Sequence, residues 1–191
     1  MSSDLHTACQ TDTLAGRVLH DTGVSVTECY QCGKCSAGCP LADEMDITPS
    51  QTLRMLQLEM PDLDEEVLRS STIWLCLTCE MCYARCPKEI DLPKVMDALR
   101  AESLRRKVAN PKARDIIAFH RSFLDSIRTC GRLYEILLIV AYKMRTRHLL
   151  QDLLLAPKLF VRGKLNPIPE LIHGRDHMAR IFARAANKES Q

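Results

Sequence analysis

Eight of the ten cysteines in this 191-residue chain fall in two runs of the same form. The first reads Cys29-Tyr-Gln-Cys32-Gly-Lys-Cys35-Ser-Ala-Gly-Cys39-Pro40, the second Cys76-Leu-Thr-Cys79-Glu-Met-Cys82-Tyr-Ala-Arg-Cys86-Pro87. Both are C-x2-C-x2-C-x3-C-P. Three evenly spaced thiolates suit three corners of a [4Fe–4S] cube, and the fourth, before proline, is carried away by the chain and typically ligates a second cube. The chemistry this predicts is one-electron transfer through two [4Fe–4S] clusters. Cluster A would take Cys29, Cys32, Cys35 and Cys86, and cluster B would take Cys76, Cys79, Cys82 and Cys39. Crossed in this way, the ligands would also staple the two halves of the domain together.

Zinc is the rival metal. Structural zinc sites use four thiolates, usually as two C-x2-C pairs, and two runs of three plus one fit that pattern poorly. Within the runs, Gly33, Ala37 and Gly38 are small, which lets backbone amides approach the cluster sulfurs. Such hydrogen bonds, with exposure and nearby charge, set the potential. Lys34 and Arg85 either offset cluster charge or are ordinary solvated cations. Leu77 and Met81 are expected to shield cluster B or simply to pack.

The elements that must hold these runs read as helices. Residues 1–15 are a polar arm containing Cys9, read as a spare thiol. Residues 16–28, with Asp21-Thr22-Gly23 between β-branched positions, are expected to form a small hairpin or an extended entry. Thr48-Pro49 opens a helix with an apolar face at Leu53, Leu56 and Met60, stopped by Pro61. Asp62 or Asp64 caps a second helix through Leu68, and Ser70 or Ser71 leads through Ile73-Trp74-Leu75 into the second run. After Pro87 the pattern repeats: Asp91, then Leu92-Pro93, then a helix to about Val108. Asn110-Pro111 begins another, with a broad face of Ile116, Ile117, Phe119, Phe123, Leu124 and Ile127, broken by Gly131 beside a buried Cys130. Further helices are expected over residues 133–144, 148–155 and 176–186, with residues 156–170 extended. Strand signals are few, so the fold class is mainly α. The domains divide as an arm (1–15), a two-cluster domain (16–108) and a helical docking extension (109–191).

Charge excludes some roles. The net charge is only +2. Residues 1–97 hold 7 Lys+Arg against 16 Asp+Glu, a net of −9, and residues 98–191 hold 19 against 8, a net of +11. Basic and aromatic residues do not interleave as on a nucleic-acid surface, so the split points to protein partners of different charge. No basic start with an apolar core marks a signal peptide. The longest apolar run, from Leu133 to Tyr142, contains Glu135 and is far shorter than the roughly 20 residues a membrane helix needs. A cytoplasmic, reduced, low-oxygen setting is expected. His6, His20, His120, His148, His173 and His177 are scattered and read as surface residues; the i, i+4 pair at 173 and 177 lacks a third ligand. There is no Gly-rich nucleotide loop, nucleophile elbow or acid–base pair, so no catalytic residue is assigned.

The twin runs, 36 residues apart between Cys39 and Cys76, together with the Trp74-Leu75-Cys76 entry and Leu92-Pro93-Lys94-Val95, resemble the iron–sulfur C subunits of heterodisulfide reductase from methanogenic archaea. The likeness covers about residues 24–150. The runs alone are shared with iron–sulfur subunits of succinate dehydrogenase and glycolate oxidase; the helix-filled insert narrows the likeness to the alpha-helical ferredoxin group. The resemblance implies a relay subunit of a larger multimer in methanogenesis. It would receive electrons from a flavin- and cluster-bearing subunit that performs bifurcation. It would pass them to another subunit, which reduces the CoM-S-S-CoB disulfide at Cys-Cys-Gly motifs. This chain has no Cys-Cys pair, so the disulfide site is expected elsewhere. The alternatives are a relay subunit of another anaerobic oxidoreductase and a free ferredoxin-like carrier.

Overall fold

The computed structural model describes residues 13–147, 172 and 174–189. Those residues are mainly α-helical, with no strand among them. The expected helix at 148–155, the extended segment at 156–170, and Cys9, His6, His148 and His173 lie outside the described residues. The chain divides into two compact units, one reaching to Ala113 and the other beginning at Arg114.

In the first unit, α1 (Leu14–Thr22) replaces the expected hairpin. Thr13 caps it, its hydroxyl accepting from the Gly16 N–H at 3.1 Å. Leu14, Ala15 and Val18 form its buried stripe. Asp21-Thr22-Gly23 is a helix end and not a hairpin turn: Gly23 takes φ +72° and donates to the Leu19 carbonyl at 2.8 Å. Glycine adopts this left-handed conformation without steric cost and so ends helices. The β-branched residues had suggested strand, but a cap, an apolar stripe and a stop outweigh weak β-propensity.

The first cysteine run contains a one-turn helix, α2 (Lys34–Ala37). Between the runs lie α3 (Pro49–Leu58) and α4 (Pro61–Arg69). A short helix, α5 (Thr72–Leu75), enters the second run, and α6 (Met81–Ala84) lies within it. Thr48 and Pro49 begin α3 as expected, with the Thr48 N–H donating to Gln51 Oε1 at 2.9 Å. Two details differ. Helix α3 ends at Glu59, which is left-handed at φ +48°, leaving Met60 exposed. Pro61 starts α4 instead of merely stopping α3, and Asp62 and Asp64 sit inside its first turn, not at its cap. Proline at the first helical position gives up an N–H that has no partner anyway, and acidic groups there favour the helix dipole.

Helix α7 (Leu92–Arg105) is the spine of this unit and packs against α1, α4, α5 and α6. Asp91 caps it, accepting from the Lys94 N–H at 3.2 Å. Val95, Met96 and Leu99 are at most 1% exposed and join Leu14, Leu56, Leu68 and Ile73 in one core. Polar links finish the packing. Ser103 Oγ donates to the Leu68 carbonyl at 2.8 Å and Asn110 Nδ2 to the Arg69 carbonyl at 2.7 Å, which satisfies the end of α4.

The second unit contains α8 (Arg114–Cys130), α9 (Glu135–Thr146) and α10 (Arg175–Glu189), with α9 and α10 both packing on α8. The fully buried line of α8 is not its aromatic face. It is Ala118, Ser122, Ser126 and Cys130, spaced i, i+4, i+8 and i+12. Phe119 is 43% exposed and Leu124 50%. Small side chains allow close helix approach, and their hydroxyls are satisfied locally: Ser122 Oγ donates to the Ala118 carbonyl at 2.8 Å, and Ser126 Oγ accepts from the Tyr134 N–H at 2.9 Å. Gly131, at φ +80°, ends α8 where expected.

Candidate iron–sulfur site

The two cysteine runs fold into the same loop twice. Gln31 and Gly33 have positive φ in the first, and Thr78 and Glu80, 47 residues later, have positive φ in the second. The one-turn helices α2 and α6 stand at equivalent positions. The Ala37 N–H donates to the Gly33 carbonyl and the Ala84 N–H to the Glu80 carbonyl, both at 3.0 Å. The Cys39 N–H donates to the Ser36 carbonyl at 3.1 Å and the Cys86 N–H to the Tyr83 carbonyl at 3.0 Å. Of the four left-handed positions, Gly33 alone is glycine. Thr78 and Glu80 hold a left-handed backbone that costs a non-glycine residue roughly 1 kcal/mol or more. Strain of this kind persists where the surrounding loop over-determines it.

Two cavities open beside these loops. One is bordered by Cys39, Cys76, Cys79 and Cys82, with Leu77, Met81, Leu92 and Met96 among its walls. The other is bordered by Cys29, Cys32, Cys35, Cys82 and Cys86, with Gly33, Lys34, Ser50, Leu53, Ile90 and Leu92. Each cavity thus draws cysteines from both runs, and Cys82 and Leu92 border both. The eight thiols divide between the two cavities, with Cys82 shared, and among the described residues no three Cys, His, Asp or Glu side chains form a single-ion site. Three thiols from one run and the pre-proline thiol of the other beside each cavity suit a cubane better than zinc, which takes two C-x2-C pairs. Leu77, at 64% exposure, and Met81, at 40%, border the first cavity and also face solvent.

Burial raises the thiols of Cys35 and Cys76 and pushes Cys82 up to about 11. Iron must therefore displace protons from these sulfurs as it binds. Several N–H groups point at sulfur; among them Gln31 Nε2 donates to Cys29 Sγ and the Ile90 backbone N–H to Cys86 Sγ, each at 3.4 Å. Gly38 and Arg85 precede the last cysteines of their runs and meet each other. A Cβ on Gly38 would run into the Arg85 guanidinium, so the glycine leaves room for a cation that lies between the runs. His20, His120 and His177 are exposed, and none of them lines either cavity.

Three residues that position the loops carry no motif. The Asp46 carboxylate accepts from Ser70 Oγ at 2.7 Å, from the Ser71 N–H at 2.8 Å and from the Thr72 N–H at 3.0 Å, which caps α5 and fixes the entry to the second run. Gln57, on α3, donates its amide to the carbonyls of Val26 at 3.0 Å and Cys29 at 2.7 Å. Arg100, on α7, donates its guanidinium to the carbonyls of Ile73 and Cys76. Those carbonyls are equivalent pairs, 47 residues apart. The 47-residue repeat of the runs does not align the two braces, since Gln57 lies eight residues after Pro49 and Arg100 seven after Pro93, so no sequence signal pairs them.

These features define a two-cluster iron–sulfur domain. Residues 25–90 match the family of 4Fe-4S dicluster domains, and the cofactors are two [4Fe–4S] clusters. Curated proteins narrow the likeness. The chain is 40% identical over 78 residues to the iron–sulfur C subunit of CoB–CoM heterodisulfide reductase from Methanopyrus kandleri, covering 41% of this chain and 38% of that protein. It is 35% identical over 88 residues to the second iron–sulfur C subunit of the Methanocaldococcus jannaschii CoB–CoM heterodisulfide reductase, 45% of each. It is 28% identical over 97 residues to the C subunit of the H2:CoB–CoM heterodisulfide, ferredoxin reductase of Methanothermobacter marburgensis, 51% of each. The chain therefore spans about two fifths to one half of the length of these relatives.

Proposed function

We propose that this chain is an electron-relay subunit of a heterodisulfide reductase-like oxidoreductase complex. Cys29, Cys32, Cys35 and Cys86 would hold one cluster, and Cys76, Cys79, Cys82 and Cys39 the other. The observation that carries this reading is that each cavity is bordered by thiols from both runs, including the pre-proline cysteine of the opposite run. The clusters supply reversible one-electron chemistry. The chain's own groups hold and shield them: apolar walls limit water, and the side chains of Gln57, Arg100 and Asp46 fix the loops. The walls of both cavities are thiols and apolar groups, with Lys34, Gly33 and Ser50 added in the second. This supports a relay whose disulfide chemistry belongs to another subunit.

The partners we propose are a flavin- and cluster-bearing subunit that bifurcates electrons, and a subunit with Cys-Cys-Gly motifs that reduces the CoM-S-S-CoB disulfide. The names of the relatives, each a C subunit, support a multi-subunit complex. So does the change from an acidic to a basic half of the chain, which provides two docking surfaces of opposite sign. A cytoplasmic location accords with the described helices, none of which is long and apolar enough to cross a membrane.

Iron and sulfide analysis of anaerobically purified protein tests the cofactor assignment; about eight of each per chain are expected from two four-iron cubes. Replacing Cys32 by Ala removes one cluster, and electron flow from a dithionite-reduced donor to the disulfide through the assembled complex then falls at least about tenfold. Undiminished flow in that variant refutes the relay.

A further inference from the structure

The loops are equivalent, but the side chains that brace them are not. Gln57, a neutral amide, holds the Val26 and Cys29 carbonyls of the first run. Arg100, a cation, holds the matching Ile73 and Cys76 carbonyls of the second. We propose that Arg100 sets the electrochemical order of the two clusters, making the one beside Cys39, Cys76, Cys79 and Cys82 the higher in potential. This rests on the relay reading and adds to it the site where an electron settles.

The argument is electrostatic. One-electron reduction adds a unit of negative charge to a cluster and moves no proton, so a fixed cation nearby favours the reduced state. The size of that effect depends on how far water screens the cation. The Arg100 side chain is only 15% exposed, and its guanidinium is bonded to the backbone carbonyl of Cys76, whose thiol borders the cavity. Its ion-pair partner Asp97, at 2.8 Å, is 62% exposed, so water weakens the offset. Other groups compete less well. Lys34 borders the other cavity but is exposed. Arg85 is exposed and lies between the runs, where it bears on both. The N–H groups of Gln31 and Ile90 favour reduction of the other cluster, yet they are neutral dipoles at 3.4 Å from sulfur. A held, poorly solvated charge outweighs them.

The duplication makes the idea testable in both directions, because the two braces can be exchanged. The measurement is an EPR-monitored redox titration of the full chain, purified with its clusters, using dithionite as the one-electron reductant. Wild-type protein is expected to show two separated midpoints. Arg100→Gln installs the brace of the first loop on the second and lowers the upper midpoint. At fixed solution potential the reduced-to-oxidised ratio of that cluster falls about tenfold, or about 59 mV for a one-electron couple, and the lower midpoint stays in place. Gln57→Arg raises the lower midpoint by a similar factor, and this second variant decides the matter if the first fails to retain its clusters. Arg100→Lys keeps the charge but loses the fork, and its upper midpoint stays within about twofold of wild type on the same scale.

The inference is overturned if Arg100→Gln retains both clusters with the upper midpoint unmoved, if Arg100→Lys shifts it as far as Arg100→Gln, or if Gln57→Arg leaves the lower midpoint where it was. Protein lacking two iron–sulfur clusters would instead sink the relay reading, so the two failures are distinguishable.

Discussion

Asp46 shows how a residue with no motif can govern a loop that has one. Its carboxylate gathers donors from Ile47, Ser70, Ser71 and Thr72. Burial pushes the carboxyl upward, but hydrogen bonds from Ser70, Ser71 and Thr72 win and hold it well below the ordinary carboxylate range. A carboxyl with a depressed folded value contributes stability above its ordinary pKa and loses it as pH falls through the folded value. Asp46→Asn removes the charge and part of the acceptor capacity. At neutral pH it should cost about 1 kcal/mol, the value of one or two charge-assisted bonds discounted for partial exposure. In urea titrations that difference should shrink steadily below about pH 4, the ordinary range of an aspartate. A deficit independent of pH would show that the carboxylate charge is irrelevant.

At the scale of elements, the two units differ in how they use apolar residues. In the first, the faces read from sequence are the ones buried, Met60 excepted: Leu53 and Leu56 on α3, and Val95, Met96 and Leu99 on α7. Leu56 is completely enclosed, and Leu56→Ala should cost about 2–5 kcal/mol through lost transfer energy and the cavity left behind. In the second, Val140 is 48% exposed and Met144 70%. Met144→Lys should change stability by less than about 0.5 kcal/mol. Chemical denaturation of the two variants checks the contrast, and equal losses would mean that the exposed face of α9 is not free. The reason for the difference lies in α8, whose small-residue line brings its neighbours close and leaves the larger side chains as half-covered shoulders.

At the scale of the molecule, the proposed ligation from both runs would make the clusters part of the fold of the first unit. Much of that unit is loop around the cavities, and its short helices α2, α5 and α6 have four residues each. Helices this short do not persist without tertiary support. Removing iron with a chelator should therefore sharply raise amide hydrogen exchange over residues 29–40 and 76–90. The core of the second unit, which contains no cysteine of the two runs, should exchange as before. Equal protection with and without iron would mean that the loops are held by their protein contacts alone. The same staple would account for strained positions such as Thr78 and Glu80, where the loop is fixed from several sides at once.

Much of this was legible in the residues alone. The spacing of eight cysteines determined the cofactor type and number, because cluster ligation depends on short loops of fixed length. Proline at the start of α3 and α7, the caps at Thr48 and Asp91, and the stop at Gly131 were readable because helix ends are local chemistry. Only the tertiary structure decided the rest. It made a helix of Leu14–Thr22 where a hairpin or extended entry was expected over 16–28, because packing of Leu14, Ala15 and Val18 overrode weak β-propensity. It chose the small-residue line of α8 over its aromatic face, since close approach depends on what the neighbouring helices present. And it brought Gln57 and Arg100 to equivalent carbonyls of two equivalent loops. No single stretch of sequence contains that relation, because each brace acts across 24 residues or more of intervening chain.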